Sequence, residues 1–435
     1  MGYPPGRPRE IRRPFRPRTE KHPTMTDTPA PAGPLAGLKV LDLSRVLAGP
    51  FCTQTLADLG AEVIKIERPG SGDDTRAWGP PFLNDGSGAD SRESAYFLSV
   101  NRNKRSLAVD LAHPDAPALI RRLAASADVL VENFKVGGLA RYGLSYDDLK
   151  DEFPGLIYCS ITGFGQTGPY AHRAGYDYLA QGMGGMMSLT GPTEGPPTKV
   201  GNANADQLTG LYAAVAILAA LDHKRRTGQG QHIDANLLDS QIAWLTYQAQ
   251  NWLVSGQPPG RHGNGHPNIV PYDTFQASDG HLILAVGNDG QFRRFCQVAG
   301  LDGLADDARF ATNPARVANR WELDALIRPC IAGRTRAEWL ADLEAAGVPS
   351  GPVNAIPEVF ADPHVKARGM TVAMDHPASP EPVTLVANPL SLSATPPTYR
   401  RPPPRIGEHG REVLAEAGLS EAEVNHLIAQ GIIAG

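Results

Sequence analysis

Several common signatures are absent from this 435-residue sequence. Its four cysteines, at positions 52, 159, 296 and 330, form no CxxC pair, so no zinc or redox motif is indicated and free thiols are expected. Neither GxGxxG nor GxxxxGK[ST] occurs, so no dinucleotide or P-loop site is indicated. No apolar run suggests a membrane span, and the N-terminus lacks the apolar core of a secretory signal. We therefore expect a cytoplasmic protein with no membrane partner.

The composition is that of a globular protein that acts on small molecules. Hydrophobic residues make up 41% of the chain, enough for two globular units or for one large unit with an insertion. A net charge of -5 argues against a nucleic-acid partner. Residues 1–34 are rich in Pro and Arg without apolar periodicity, which predicts a disordered tail.

Strand and helix patterns alternate after the tail. Residues 38–43 and 62–66 read as apolar strands on either side of a helix over 50–59, which is a βαβ unit. Further strands are predicted over 128–131 and 156–161, with helices before each. The pattern predicts an α/β fold with a parallel sheet covered on both faces, Rossmann-like in outline only.

A second unit is predicted in the latter half of the chain. A β-hairpin turning at Asp279-Gly280 is followed by helical patterns, which indicates a small α+β domain over 260–335. The large domain is predicted to comprise two parts of the chain, 35–235 and 346–435. Two linkers, 236–259 and 336–345, are predicted to join it to the small domain.

Asp206 stands where a polar, small-residue run, VGNANADQ, gives way to an apolar helix pattern. Asp is a favoured residue at helix starts, where its oxygens accept hydrogen bonds from free amides and oppose the helix dipole. A carboxylate in this place can instead be a reacting group. Position alone leaves both interpretations open.

Cationic side chains follow several predicted strands, at the edge where open α/β sheets bind ligands. They are predicted to converge on phosphates, with Phe134 stacking on a purine, and solvated surface charge is the alternative. These cations are Arg68, Arg76, Lys104, Arg105 and Arg141.

The segment RHGNGH offers two interpretations. His262 and His266 lie among glycines, which do not favour a helix that would align them, and they have no acidic partner, so no metal site is expected. Gly263 and Gly265 could bring bare amides to a developing oxyanion, or could form a plain turn between domains.

A series of motifs runs in order across nearly all of residues 35–433. The motifs are RVLAGPF, GDDTRAWGPPF, YFLSVNRNK, DVLVENF, YCSITGFGQTGP, RAGYD, IVPYDTF and PPPRIGEH. Together they resemble the family III CoA-transferases, and the similarity is greatest to the branch that transfers CoA between succinyl-CoA and hydroxymethylglutarate or glutarate.

The resemblance implies that Asp206 is the nucleophile, which forms a mixed anhydride and then an aspartyl-CoA thioester. The implied substrates are CoA thioesters, with succinyl-CoA as donor, and no permanently bound cofactor. The implied acceptor is a C4 to C6 dicarboxylate such as glutarate, 3-hydroxy-3-methylglutarate or itaconate.

The resemblance also implies roles for other residues. Leu47 and Tyr96 are implied to lie near the reacting centre, and oxalate-using relatives carry Gln where this chain has Leu47, which disfavours oxalate. Gly263 and Gly265 are implied to form a lid over the intermediate. CoA binding is implied for Arg45, Arg68, Val109, Asn133, Phe134 and Arg141.

A 2-methylacyl-CoA racemase on the same fold is the alternative. Racemases need an acid/base on each face of a carbon, and supply a His where this chain has Tyr176. A phenol, with a reference pKa of about 10, is a poor base at neutral pH, which favours the transferase. The resemblance further implies an interlocked homodimer, with the active site between one large domain and the partner's small domain.

Overall fold

The computed structural model describes residues 33–87 and 90–434, so the predicted tail lies outside the described residues except for its last two positions. The strands are β1 Lys39–Asp42, β2 Glu62–Glu67, β3 Phe82–Asn84, β4 Asp90–Ser94, β5 Lys104–Ala108, β6 Val129–Glu132, β7 Ile157–Thr162, β8 His232–Asn236, β9 Tyr272–Ala277, β10 Gly280–Ala285, β11 Ser350–Pro352, β12 Thr371–Met374 and β13 Val383–Val386.

Helices connect most of these strands. They are α1 Ala48–Asp58, α2 Ala95–Ser99, α3 Ala116–Ala124, α4 Tyr146–Leu149, α5 Asp177–Met183, α6 Met186–Leu189, α7 Asn204–Thr227, α8 Leu237–Ala243, α9 Thr246–Ser255, α10 Asp289–Ala299, α11 Gly303–Asp306, α12 Asn313–Ala318, α13 Arg320–Ala332, α14 Arg336–Ala345, α15 Ile356–Ala361, α16 Pro363–Ala367, α17 Gly410–Glu416 and α18 Glu421–Ala429.

Six strands form the predicted parallel sheet, in the order β5-β2-β1-β6-β7-β8. Val40 of β1 pairs with Val63 of β2 on one side and with Val129 of β6 on the other. Alternate residues of each strand serve opposite faces. Leu41 and its neighbours pack with α3, α17 and α18, whereas Val40 and its neighbours pack with α1 and α7. The sheet is therefore covered on both faces, which confirms the predicted α/β class.

Helix α7 carries Asp206 in its first turn and then packs on the face of the sheet that carries Val40. By length and hydropathy its 24 residues could span a membrane, contrary to what the sequence suggested. Half of its apolar stretch is nevertheless buried inside the protein, where Ala213 and Ile217 pack against Cys52 and Leu56 of α1. This burial is typical of a helix in a protein core.

A smaller antiparallel sheet, β11-β10-β9, contains the predicted hairpin, which turns at Ser278 and Asp279. Its core extends beyond the expected limits, because Trp339 and Leu343 of α14 are buried in it. The segment 336–345, which the sequence predicts to be a linker, is thus a helix of this smaller unit. Its two buried residues, four positions apart, are the periodic signal of a short amphipathic helix. The limits of the domains otherwise stay a prediction.

Candidate active site

The loops after β1 and β6 meet at the carboxyl edge of the large sheet. The strand order reverses between these two strands, which is where open α/β sheets form a binding crevice. The Arg45 backbone N–H donates to Asn133 Oδ1 at 3.0 Å, and Asn133 Nδ2 donates to the Arg45 carbonyl at 2.6 Å. These two hydrogen bonds join the loops across the crevice.

A cavity of about 360 Å³ opens on one side of this junction. Two cations, Arg68 and Arg141, line it together with the Phe134 ring, a combination suited to phosphates and a purine. Five of the six residues expected to bind CoA line this cavity, namely Arg45, Arg68, Val109, Phe134 and Arg141.

A second cavity, of about 480 Å³, leads from the junction to Asp206. Arg45 and Phe134 line both cavities, so the two are continuous along these side chains. Asn133, Leu47 and Tyr176 line the second cavity. The structure therefore places the expected nucleophile at one end of a cleft whose other end carries the expected CoA-binding residues.

Asp206 occupies the third position of α7, and it does not cap the helix. The capping position belongs to Ala203, and Asp177 Oδ1 accepts the backbone N–H of Ala205 at 2.8 Å and that of Asp206 at 3.4 Å. The interpretation of Asp206 as a simple cap is thus wrong, because a carboxylate from α5 already serves the free amides.

The Asp206 carboxyl lies in an unfavourable place for negative charge. Burial raises its pKa to about 7, and the charge of Asp177 adds to this increase. Helix-start amides therefore do not keep this carboxyl as readily ionised as it would be in water.

Tyr96 and Leu47 line a third cavity that also contains Asp177 and Lys199, and Leu47 lines the second cavity as well. Burial, followed by the charge of Asp206, raises the pKa of Tyr96 to about 12, so its phenol remains a hydrogen-bond donor at neutral pH. The Tyr96 ring meets Trp78 edge to face at 5.3 Å.

Three cations that were expected to reach phosphates lie instead inside ion pairs. Arg76 donates to Glu67 at 2.8 Å, Lys104 pairs with Asp42 at 3.1 Å, and Arg105 pairs with two glutamates of α17. All three side chains are buried. The phosphate prediction is wrong for them because carboxylates on other elements pair with them inside the protein, and the sequence pattern does not show such pairings between elements.

Gly263 and Gly265 lie in the smaller unit. The Gly265 N–H donates to the His262 carbonyl at 2.9 Å, and Gly263 has a φ of 61°, so the segment forms a tight turn. Among residues 33–87 and 90–434, no contact joins these glycines to Asp206, and no cluster of three metal-ligating side chains occurs. Within one chain the structure does not bring the expected lid to the nucleophile.

Two supporting residues were missed in the sequence. Asp177 was overlooked although it directly follows Tyr176 in RAGYD and starts a helix. Asp73, which pairs with buried Lys65 at 2.9 Å, accepts the N–H of Val46 at 3.2 Å. Val46 has a φ of 72°, a strained value for a β-branched residue, and Asp73 therefore helps to fix the loop between Arg45 and Leu47.

Comparison with known proteins agrees with this geometry. The model of CoA-transferase family III matches residues 35–410. The chain is 53% identical over 392 residues to a succinate–glutarate CoA-transferase of Agrobacterium fabrum, covering 90% of this chain and 98% of the relative. It is 45% identical over 401 residues to the succinyl-CoA:glutarate CoA-transferase of Mus musculus, covering 92% and 90% of the two chains.

Solved structures give the same result. The crystal structure of a CaiB/BaiF family protein from Brucella suis is 51% identical, with a TM-score of 0.79, and the match covers 89% of this chain and 100% of that chain. The sequence motifs, the parallel sheet and the cleft that ends at Asp206 are thus found together with a family match over most of the chain. The chain belongs to CoA-transferase family III.

Proposed function

We propose that this protein transfers CoA from succinyl-CoA to glutarate, with Asp206 as the covalent nucleophile. The observation that carries the proposal is the position of the Asp206 carboxyl at the inner end of a cleft lined by Arg68, Phe134 and Arg141. The relatives named for succinate and glutarate support the choice of donor and acceptor.

The proposed chemistry ends with as many thioesters as it began with. An Asp206 oxygen attacks the succinyl carbonyl and expels CoA as a thiolate, which leaves a mixed anhydride between Asp206 and succinate. The thiolate then attacks the Asp206 carbonyl carbon, which releases succinate and leaves an aspartyl-CoA thioester. Glutarate attacks that thioester to form a second anhydride and thiolate, and the thiolate attacks the glutaryl carbonyl. Glutaryl-CoA leaves and the Asp206 carboxylate is restored, so the reaction needs no resident cofactor.

The surroundings of Asp206 suit these steps. In the proposal, Arg68 and Arg141 hold phosphates of CoA and Phe134 packs on its purine, which fixes the thioester at the inner end of the cleft. The Tyr96 phenol, which stays protonated, is placed to donate a hydrogen bond near the reacting carbonyl. A site shielded from water protects both anhydrides from hydrolysis.

The test is to incubate the protein with succinyl-CoA and glutarate and to measure each thioester over time. Glutaryl-CoA should appear while total thioester stays constant, and pentanoate, which lacks the distal carboxylate, should be a poor acceptor. Hydroxymethylglutarate and itaconate, run in parallel, define the acceptor range. Net loss of thioester, or no glutaryl-CoA from a folded protein, would refute the proposal.

We further propose that the chain self-associates through α7, α8 and α9. These helices expose large apolar side chains, which water disfavours and a second copy would bury. The exposed residues are Leu211, Tyr212, Val215, Ile242, Trp244, Tyr247, Trp252, Leu253 and Val254. In the interlocked dimer that the family resemblance implies, the partner's glycine loop would supply the lid that one chain alone does not bring to Asp206.

A further inference from the structure

The first turn of α7 is held by a side chain from another helix. Ala203, at the capping position, has no side chain that could accept a hydrogen bond. Asp177 Oδ1 accepts instead, from the N–H of Ala205 at 2.8 Å and from that of Asp206 at 3.4 Å. The backbone that carries the nucleophile is therefore positioned from α5.

A second residue of α5 completes this support. Gln181, which is fully buried, donates through Nε2 to Asp177 Oδ2 at 2.7 Å and to the Asn202 carbonyl at 3.2 Å. Its Oε1 accepts the N–H of Val200 at 2.8 Å. Both oxygens of Asp177 are thus engaged, and the chain that leads into α7 is tied to the same helix.

We propose that Asp177 is a positioning residue for the transfer reaction, which fixes the first turn of α7 and uses its negative charge to make acylation of the Asp206 carboxylate more favourable. This inference rests on the proposed role of Asp206 as nucleophile. Asp177 itself does not contact the reacting atoms.

Charge explains why a second carboxylate helps. Two neighbouring carboxylates repel each other, so each disfavours the ionised form of the other. Acylation turns Asp206 into a neutral anhydride or thioester. Its charge passes to the CoA thiolate when the anhydride forms, and to the carboxylate of the released succinate when the thioester forms. Formation of either intermediate therefore relieves the repulsion from Asp177, and a more basic carboxylate is also the stronger nucleophile.

Other charged or titratable groups line the cavities beside Asp206. Arg45 is neutralised in part by Asp74, whose carboxylate it meets at 2.6 Å. The burial of Asp206 and the charge of Asp177 are the two causes that raise its pKa. The groups that line the second and third cavities are Arg45, Asp74, Lys135, Arg173, Tyr176, Tyr96, Asp177 and Lys199.

The test compares Asp177→Asn with Gln181→Leu in the full-length protein. Asp177→Asn keeps an oxygen that can accept the α7 amides but removes the charge, whereas Gln181→Leu removes hydrogen bonds and keeps the charge. For kcat/KM against pH, the acid limb of Asp177→Asn should move down by about one pH unit, with a lower plateau. Gln181→Leu should lower the rate without moving the limb.

Carbodiimide labelling of Asp206 against pH, measured by peptide mass spectrometry, gives a readout that needs no acceptor. Carbodiimide modifies the protonated carboxyl, so the labelling midpoint should lie lower in Asp177→Asn than in the wild type. Equal midpoints in folded proteins, or the same displacement in Gln181→Leu, would overturn the inference. Asp177→Ser, also neutral and a good cap, replaces Asp177→Asn if that variant fails to fold. A wild type that forms no glutaryl-CoA would refute the proposed function, while the labelling still decides the role of Asp177.

Discussion

Asp206, the proposed nucleophile, has an energetic cost for the folded protein. Its pKa lies at about 7 in the folded chain, above the ordinary value of 3.8. The folded state thus keeps a proton that the unfolded chain releases between these values, and stability falls as the pH rises through this window. The ionised carboxylate of Asp206 therefore destabilises the folded protein at neutral pH.

We predict that Asp206→Asn stabilises the protein above pH 7, by up to about 4 kcal/mol, because the neutral amide carries no buried charge. The gain should shrink toward zero as the pH falls below 3.8, where the wild-type carboxyl is protonated in both states. Urea unfolding of the two proteins across this pH range measures the effect, with Asp151→Asn, at an exposed position, as control. A gain that does not depend on pH would contradict this explanation.

Arg68 should contribute to CoA binding and not to the acyl chemistry. It lines the outer cavity, away from Asp206, and a cation there can pair with phosphate. We predict that Arg68→Ala raises the KM for succinyl-CoA about tenfold, with little change in kcat or in the KM for glutarate. Arg293→Ala removes an exposed cation from the smaller unit and is the matched control. An unchanged KM would place the phosphates elsewhere.

At the level of elements, buried ion pairs connect the strand ends beneath the cleft. Lys65 of β2 pairs with Asp73, and Lys104 of β5 pairs with Asp42 of β1. Burial raises the pKa of Asp73 and is the largest single influence on it. The charge of Lys65 and the hydrogen bonds from Lys65 and Thr75 together outweigh burial and lower that pKa to about 2. This pairing fixes the loop that presents Arg45.

We predict that Asp73→Asn lowers the free energy of unfolding at pH 7 by about 3 kcal/mol, because it leaves the fully buried Lys65 ammonium without its partner. The wild-type contribution is present above the ordinary carboxyl pKa and is lost as the pH falls toward 2, so the difference should narrow in acid. Denaturant unfolding at several pH values measures it. Asp74→Asn, one residue further along and half exposed, should cost much less.

The elements differ in how far the sequence predicts them. The alternation of apolar strands with helical patterns predicts the parallel sheet, and Val40 and Leu41 are both apolar because both faces of that sheet are covered. The segment 236–259, which the sequence assigns to a linker, contains α8 and α9, and Thr246, with a φ of 44°, marks the backbone break at which α9 begins. Such a backbone break depends on tertiary packing and leaves no periodic signal.

The candidate site could be predicted from the sequence only in part, because some of its residues belong to motifs and others depend on contacts between elements. Asp206 stands out through its motif, and the loop residues Arg45 and Asn133 follow strands whose ends must meet. The role of Asp177 depends on a hydrogen bond that the N–H of Ala205 in α7 donates to Asp177 in α5, 28 positions earlier in the chain. Neither periodicity nor composition encodes that pairing.

For the whole molecule, the apolar surface of α7 to α9 is the main unexplained feature of a single chain. Val215 is 63% exposed and Val254 is 78% exposed. We predict that the wild type sediments as a dimer and that Val215→Asp combined with Val254→Asp weakens it, with loss of activity. Val386 is also an exposed valine, but it lies on β13, away from these helices, so Val386→Asp should leave the dimer intact. A wild type that sediments as an active monomer would contradict the proposed assembly.

The central claim is that Asp206 becomes acylated, and oxygen-18 transfer tests it most directly. In a single turnover of succinyl-CoA with glutarate labelled in its carboxylates, the oxygen that bridges the second anhydride should remain on Asp206 after glutaryl-CoA leaves. Mass spectrometry of the peptide that contains Asp206 should therefore show one oxygen-18 in the carboxyl group of that residue. Glutaryl-CoA formation without any label on Asp206 would contradict the account.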